Sequence, residues 1–127
     1  MPADTTLATY LAAIDEIIAP AVEHFAPTWV IASAGFDGHR DDPLTELGLT
    51  AQDFGDLTSW LFSLVPPGRR IAFLEGGYDL RALKLSSAST LAAMVGERLM
   101  AEAPSAGEAR LAVIRAIRET RARSLEL

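Results

Sequence analysis

The sequence predicts an α/β fold with parallel strands, on three observations. The run 29–32 is apolar throughout rather than alternating, which is typical of a strand covered on both faces. A second strand-like run lies at 70–74, and both runs end in polar turns that contain glycine. The predicted order is helix, strand, helix, strand, helix, helix, and such alternation favours parallel pairing. Because two strands make a thin sheet, we expect the chain to be part of a larger open sheet or to pack on a partner chain.

The first helix is predicted over residues 5–25, with Asp4 as its N-cap. Apolar residues at helical spacing indicate one buried face. They are Leu7, Tyr10, Leu11, Ile14, Ile17, Ile18, Val22 and Phe25. Pro20 interrupts this pattern and is expected to kink or split the helix, because proline has no backbone N–H.

Pro27 introduces the first strand, predicted over residues 28–33. Thr50 and Asp53 resemble a capping box, with Asp in place of the usual Glu or Gln, and predict the start of the second helix. Its apolar stripe consists of Phe54, Leu57, Leu61 and Leu64. The prolines and glycine at 66–68 are expected to end it.

The second strand, residues 70–74, leads through a glycine-rich turn into a third helix predicted over residues 80–101. Ser105 and Glu108 then have the spacing of a second capping box. They predict a last helix that runs through about Arg123.

Composition excludes several classes of protein. The chain has 127 residues, a net charge of −6 and no cysteine, so one domain is expected, without disulfides or thiolate metal sites. A mildly acidic chain is not suited to gripping phosphates, and the arginines near the C-terminus are interpreted as a solvated helix face. We therefore expect no direct nucleic acid binding, no membrane association and a cytoplasmic location.

The polar residues after the two strands form the candidate site. If the strands are parallel neighbours, these loops share one edge of the sheet, where ligands bind in open α/β folds. Carboxylate and imidazole groups ligate divalent metals. The first loop contains four such groups: Asp37, His39, Asp41 and Asp42. Tyr78 offers a hydroxyl to a developing oxyanion, while turn chemistry, solvation and loop hydrogen bonds stay open as structural roles for all these residues.

Two motifs closely resemble the histone deacetylase family. Ser33-Ala-Gly-Phe-Asp-Gly-His-Arg-Asp-Asp-Pro-Leu44 is followed by Leu74-Glu-Gly-Gly-Tyr-Asp-Leu80, in the family's order and spacing. The resemblance is to the C-terminal part of the family, which includes bacterial acetoin-utilisation and acetylpolyamine amidohydrolase proteins, and extends over about residues 4–97. It implies an open parallel sheet similar to that of arginase, and hydrolysis of an acetyl amide with one divalent metal, usually Zn²⁺.

The resemblance also implies roles for single residues. Asp37 matches the metal-binding aspartate, and Tyr78 matches the catalytic tyrosine that polarises the amide carbonyl and stabilises the oxyanion. Leu44 matches a position that lines the acyl-lysine channel, and Gly76 and Gly77 match glycines that shape it.

Two neighbouring polar residues are expected to support the loop. Asp42 is assigned to holding it, because two adjacent free carboxylates at one metal would repel each other. His39 is likewise assigned to loop support, and its spacing from Asp37 is interpreted as a coincidence.

Other elements of the family's active site have no match in this sequence. They are an Asp-x-His pair that supplies two metal ligands and a His-His pair that acts as general base and electrostatic catalyst. Since a catalytic zinc normally has three protein ligands, we expect the chain to be inactive alone. It is interpreted as one partial domain over residues 1–127, the C-terminal portion of a deacetylase-like domain with its last helix at 104–127. A truncated gene, a split subunit and a fragment all stay open.

Two functions follow as hypotheses. In the first, the chain is part of a zinc-dependent deacetylase whose substrate is an acetylated protein, an acetylated polyamine or a small acetyl amide. In the second, it is a non-catalytic remnant or interaction module that completes a deacetylase-like fold with a partner chain or self-associates. A nucleotide-binding fragment is disfavoured because the sequence lacks the spaced glycines of a dinucleotide fingerprint.

Overall fold

The computed structural model, which describes residues 1–125, confirms an α/β fold around a parallel sheet. Strands β1 (Val30–Gly35) and β2 (Arg70–Gly76) pair in parallel. Helix α3 (Ala51–Ser63) connects them and packs against α4 (Leu80–Met94), which follows β2. The carboxyl ends of both strands therefore lie at one edge, as the sequence predicted.

Three helical segments precede the sheet. They are α1 (Leu7–Ala13), a π-helical turn (Ile14–Ile18) and α2 (Ala19–Phe25). Pro20 lies in the first turn of α2, where its missing N–H is tolerated. The predicted split is therefore confirmed, and it takes the form of a π-helical turn just before the proline.

The start of the first helix differs from the prediction. Its N-cap is Thr6 rather than Asp4, because Asp4 adopts a φ of +53° and donates its N–H to the Glu46 carbonyl at 2.6 Å. The first helical N–H, that of Leu7, is accepted by Ser105 Oγ at 2.9 Å. A distant residue therefore caps this helix.

The predicted buried face of the first helix is only partly covered. Leu7 and Ile14 are buried, whereas Leu11, Ile18 and Phe25 are exposed. The last helix, α5 (Leu111–Leu125), packs against α1 and the π-helical turn, and its Ile114 is buried. It therefore covers part of the apolar face of the first helix.

Both strands are shifted or extended relative to the prediction. β1 begins at Val30 rather than residue 28, because its first backbone partner is the Arg69 carbonyl, which accepts the Val30 N–H at 3.0 Å. β2 continues past residue 74 to Gly76, which pairs with Gly35 across a bulge.

The expected burial of β1 on both faces is wrong for the described residues. One face packs on α3 through a core cluster of Val30, Phe62 and Val65. On the other face Ile31 is 66% exposed and Phe73 is 55% exposed. We call this second side the open sheet face; no described element covers it.

Helix α3 begins as the sequence predicted. Thr50 and Asp53 form the capping box, in which Asp53 Oδ2 accepts the Thr50 N–H at 2.9 Å. The helix ends before the turn at 66–68, also as predicted.

Helix α4 ends earlier than the predicted residue 101. Gly96 adopts a φ of +82° and donates its N–H to the Ala93 carbonyl at 3.1 Å, while the Glu97 N–H reaches the Ala92 carbonyl at 2.8 Å. This is a Schellman ending, in which glycine takes the left-handed position at no steric cost.

The last helix begins at Leu111, so the predicted capping box at Ser105 and Glu108 is wrong. Ser105 is used elsewhere: its Oγ caps α1, and its N–H donates to Asp53 Oδ1 at 3.1 Å. We call residues 95–110 the α4–α5 connection, which contains neither helix nor strand. Residues 126–127 of the predicted helix lie outside the described residues.

Among the helices in the part of the chain described, none has the length and apolar character that crossing a bilayer would require.

Candidate active site

A cavity of about 370 Å³ opens at the carboxyl ends of the two strands. Asp37 from the loop after β1 and Tyr78 from the loop after β2 both line it, so the structure brings the two predicted chemical groups together. The other lining residues are Ser33, Gly35, Glu75 and Gly76.

The backbone around Asp37 is held on both sides. The preceding residue, Phe36, is buried and packs edge-on against Phe54, with ring centroids 5.2 Å apart. The Phe36 N–H donates to the Gly76 carbonyl at 2.9 Å. Thr45 Oγ1 donates to the Asp37 carbonyl at 2.6 Å. Asp37 itself is half-buried, so its carboxylate meets the cavity from a fixed backbone.

Asp42 fastens the Tyr78 loop to the Asp37 loop. Its Oδ2 accepts the Tyr78 N–H at 2.6 Å and the Asp79 N–H at 3.0 Å, and its Oδ1 accepts the Leu44 N–H at 2.9 Å. The prediction that Asp42 holds the loop is confirmed. Asp79 then caps α4 by accepting the Ala82 N–H at 2.7 Å.

The charge of Asp42 is stabilised by these bonds. Burial of the carboxyl would by itself raise its pKa, but the N–H groups of Tyr78, Leu44 and Asp79, with His39, outweigh burial and lower the pKa below its ordinary value. Asp42 is therefore ionised at neutral pH and acts as a backbone clamp.

The glycine turn before Tyr78 is sterically required. Gly77 has a φ of +126°, and a Cβ there would lie 3.2 Å from both Leu83 Cδ1 and Phe36 Cβ. The turn forms part of a second cavity of about 280 Å³ beside the first. Gly76 and Gly77 both line it, and the Tyr78 side chain is exposed at the junction of the two cavities.

Leu44 lies apart from these cavities. It is 61% exposed and lines neither of them. Its link to the site is indirect, through the Asp42 carboxylate that also binds the Tyr78 N–H.

His39 belongs to a buried hydrogen-bond network. Its ring is 0% exposed, with Nε2 2.8 Å from Glu102 Oε2, and its Nδ1 accepts the Asp41 N–H at 3.1 Å. The Asp41 bond leaves the ring proton on Nε2, which donates to Glu102. Of the structural roles left open for His39, loop hydrogen bonding is confirmed and solvation is wrong, because the ring is buried.

The same three residues form a group with metal-ligand spacing. Ligand atoms of His39, Asp41 and Glu102 lie within 4.8 Å of one another. Two guanidinium groups already neutralise the carboxylates, since Arg40 lies 3.4 Å from Glu102 Oε1 and Arg81 lies 3.4 Å from Asp41 Oδ2. With both ring nitrogens of His39 engaged, the arrangement fits an ion-pair network better than a metal site.

The fit to a catalytic metal is partial. A half-buried carboxylate facing a cavity suits one ligand of a divalent ion, and Asp37 meets that requirement. Within residues 1–125, Asp37 belongs to no group of three close His, Cys, Asp or Glu side chains. The described residues therefore supply one donor of the set that a catalytic zinc normally needs.

Two residues near the site are missed by the sequence analysis. The helical pattern places Tyr10 only on the apolar face of the first helix. In the fold, burial and then the negative charge of Asp37 raise the pKa of its hydroxyl. Glu102 falls just beyond the predicted third helix. Its position carries no local signal, because its partner His39 is 63 residues away in the chain.

Comparison with known proteins gives a consistent result. The sequence model described as the histone deacetylase domain matches residues 1–94. "Histone deacetylase 10, chloroplastic" from Oryza sativa subsp. japonica is 41% identical over 92 residues, covering 70% of this chain and 21% of that protein. A "Probable deacetylase" from Archaeoglobus fulgidus is 38% identical over 105 residues, covering 80% of this chain and 29% of that protein.

Solved structures show the same likeness. The crystal structure of the HDA15 HD domain aligns with a TM-score of 0.70 and 33% identity, over 82% of this chain and 29% of that chain. The histone deacetylase Clr3 aligns with a TM-score of 0.80 and 25% identity, over 91% of this chain and 20% of that chain. This chain thus spans under a third of the length of each of these four proteins.

Proposed function

The chain belongs to the histone deacetylase domain family, and from that premise we propose that it supplies one side of the active site of a zinc-dependent deacetylase. Within the family's domain it corresponds to the C-terminal portion, and its motifs favour the bacterial acetoin-utilisation and acetylpolyamine amidohydrolase group. The observation that carries the proposal is the shared cavity of Asp37 and Tyr78 at the ends of β1 and β2.

Asp37 provides one zinc ligand in this proposal. Zn²⁺, when bound, polarises the amide carbonyl and lowers the pKa of a water molecule. The remaining ligands and the general base come from the family's Asp-x-His and His-His elements. This sequence has no His-His pair, and its one match to Asp-x-His spacing is the coincidental one of Asp37 and His39.

Tyr78 donates its hydroxyl hydrogen bond to the carbonyl oxygen of the acetyl amide. The bond strengthens as that oxygen gains negative charge, so it stabilises the transition state more than the bound substrate. Asp42 sets the backbone position of the donor, because its carboxylate accepts the Tyr78 and Asp79 N–H groups. In this proposal Gly76 and Gly77 shape the wall of the acyl-lysine channel. Leu44, which lines neither cavity in this structure, is proposed to line that channel once the rest of the domain is present.

The substrates proposed are acetylated lysine side chains and acetylated amines, including polyamines. Both present a small acetyl amide on a long aliphatic stem, which suits a narrow channel between two loops. The proposed location is the cytoplasm.

Complementation tests this function. The chain is mixed with the N-terminal part of a related deacetylase, and hydrolysis of an acetyl-lysine reporter is followed with zinc and with a chelator. We expect zinc-dependent hydrolysis, and Tyr78→Phe in the same mixture should lower the rate about 100- to 1,000-fold. Arg98→Ala, a change at an exposed ion pair with Asp56, serves as the control and should leave the rate unchanged. Absence of hydrolysis when both parts are folded would contradict the proposal.

A second function is favoured by the open sheet face. Ile31 and Phe73 expose apolar surface there, which suits a non-catalytic interaction module that completes a deacetylase-like fold with a partner chain or self-associates. This alternative predicts weak zinc binding by the chain alone, because one carboxylate is a poor zinc site. Calorimetry that shows one tightly bound zinc per chain would rule it out.

A further inference from the structure

Glu102 brings a negative charge from the α4–α5 connection into the interior of the molecule. Its side chain is 6% exposed, and its Oε2 both accepts the Ala51 N–H at 2.9 Å and lies 2.8 Å from His39 Nε2. Ala51 is the first residue of α3, where a carboxylate also complements the helix dipole. Glu102 therefore joins the start of α3 to the loop after β1.

His39 is the point at which Glu102 holds that loop. Its N–H donates to the Phe36 carbonyl at 3.1 Å, and its carbonyl accepts the Asp42 N–H at 2.9 Å. These two bonds span the turn that contains Asp37 and ends at the Asp42 clamp. A restraint on the His39 ring is therefore a restraint on the turn between the proposed ligand and the clamp.

The charge on Glu102 is stabilised where it lies. Burial would raise its pKa, but the Ala51 N–H, the His39 bond and the Arg40 guanidinium outweigh burial and lower the pKa below its ordinary value. An ionised carboxylate accepts stronger hydrogen bonds than a neutral one. The position of Glu102 and its negative charge therefore both strengthen its hydrogen bonds to His39 and to the Ala51 N–H.

We propose that Glu102 is a positioning residue for Asp37: it grips the His39 ring and so fixes the turn between Asp37 and Asp42 against α3. The proposal rests on the function proposed above, in which Asp37 is a zinc ligand. It also gives the α4–α5 connection, which lies beyond the residues matched by the family, a role in the geometry of the site.

The test is hydrogen–deuterium exchange on the full chain, without a metal and without a second polypeptide. Glu102→Ala should speed exchange of the amides at 36–50 and 78–79 at least about tenfold, the scale of a lost bond to a charged group. Amides in β1 and in the second half of α3 should change less than about threefold. Arg98→Ala, which removes another tie from the same connection, is the matched control and should leave the loop amides as they are.

A spectroscopic signature separates positioning from general stabilisation. The chain has two histidines, so ring ¹⁵N signals are readily assigned, and Glu102→Ala should shift the Nε2 signal of His39 but not that of His24. Glu102→Gln keeps an acceptor oxygen for His39 but loses the charge, so its loop exchange should lie between that of the unmodified chain and that of Glu102→Ala.

Three outcomes would overturn the proposal. They are uniform acceleration of all amides in Glu102→Ala, unchanged loop exchange in that variant, and equal loop acceleration in Glu102→Gln and Glu102→Ala. Because the readout needs no deacetylation, loss of the proposed function in the complementation assay leaves this result separately interpretable.

Discussion

The site edge of the sheet and its open face are built in opposite ways. At the edge, Asp37 and Tyr78 are held by loops whose backbone N–H groups converge on one buried carboxylate, that of Asp42. On the face, Ile31 and Phe73 expose apolar surface to solvent. The difference teaches that the local geometry of the candidate site is determined within this chain, whereas burial of the sheet requires cover that the described residues do not supply.

Among changes at the site edge and on the open sheet face, the largest loss of stability is expected from removing the Asp42 carboxylate. Asp42→Ala leaves three backbone N–H groups without their acceptor, and should lower the free energy of unfolding by about 2–4 kcal/mol in urea titrations. Asp41, the exposed neighbour of Asp42, provides the control. Asp41→Ala should change the free energy of unfolding by less than about 0.5 kcal/mol. Equal losses in the two variants would show that the edge is no more constrained than its surroundings.

The second-largest loss of stability is expected from a substitution in the glycine turn before Tyr78. Gly77→Ala places a Cβ against Leu83 and Phe36 at a φ of +126°, and is expected to cost about 1–3 kcal/mol by the same measurement. Gly68 has a φ of +85°, and a Cβ added there would meet no atom within 4 Å. Gly68→Ala therefore carries backbone strain without the contact, and a cost equal to that of Gly77→Ala would contradict the steric account.

Acid should loosen the edge before it affects the open face. The pKa values of Asp42 and Glu102 are lowered in the folded chain, so their stabilisation is complete above the unfolded values of about 3.9 and 4.3. It is lost as the pH falls through the lower folded values. Thermal unfolding followed from pH 7 to pH 2 should show this loss, and Asp42→Asn should have a flatter profile. If the unmodified chain and Asp42→Asn lose stability in parallel as the pH falls, Asp42 is not a source of the pH dependence.

The smallest effect on stability is expected at the open face. Phe73→Ser should change the free energy of unfolding by less than about 0.5 kcal/mol, because the ring is already exposed. If the unmodified chain self-associates through this face, Phe73→Ser should reduce that self-association in sedimentation experiments. Phe62→Ala is the matched contrast, since that ring is buried in the core and its loss should cost about 3–5 kcal/mol.

Parts of this structure that depend on neighbouring residues were predictable. The Thr50–Asp53 cap, the split at Pro20 and the glycine turn before Tyr78 all follow from local backbone chemistry. The meeting of Asp37 and Tyr78 needed one further rule, that parallel strands place their carboxyl ends at one edge.

The remaining features depend on partners far along the chain. Ser105 has the sequence signature of an N-cap, but its hydroxyl is taken by Leu7, 98 residues earlier. The apolar pattern of α4 continues past Gly96, yet the helix ends there and frees the following residues to carry Glu102 to His39. Tertiary contacts determine which helix Ser105 caps and which residue Glu102 binds, and local sequence propensity carries no information about such contacts.

The bond between Ser105 and Leu7 also has a consequence for synthesis. The hydroxyl that caps α1 is made 98 residues after the N–H that it serves, which at ribosomal rates is a delay of about 5–20 s. During that interval the first turn of α1 has no such partner. The first helix therefore gains this cap only after the α4–α5 connection has been synthesised.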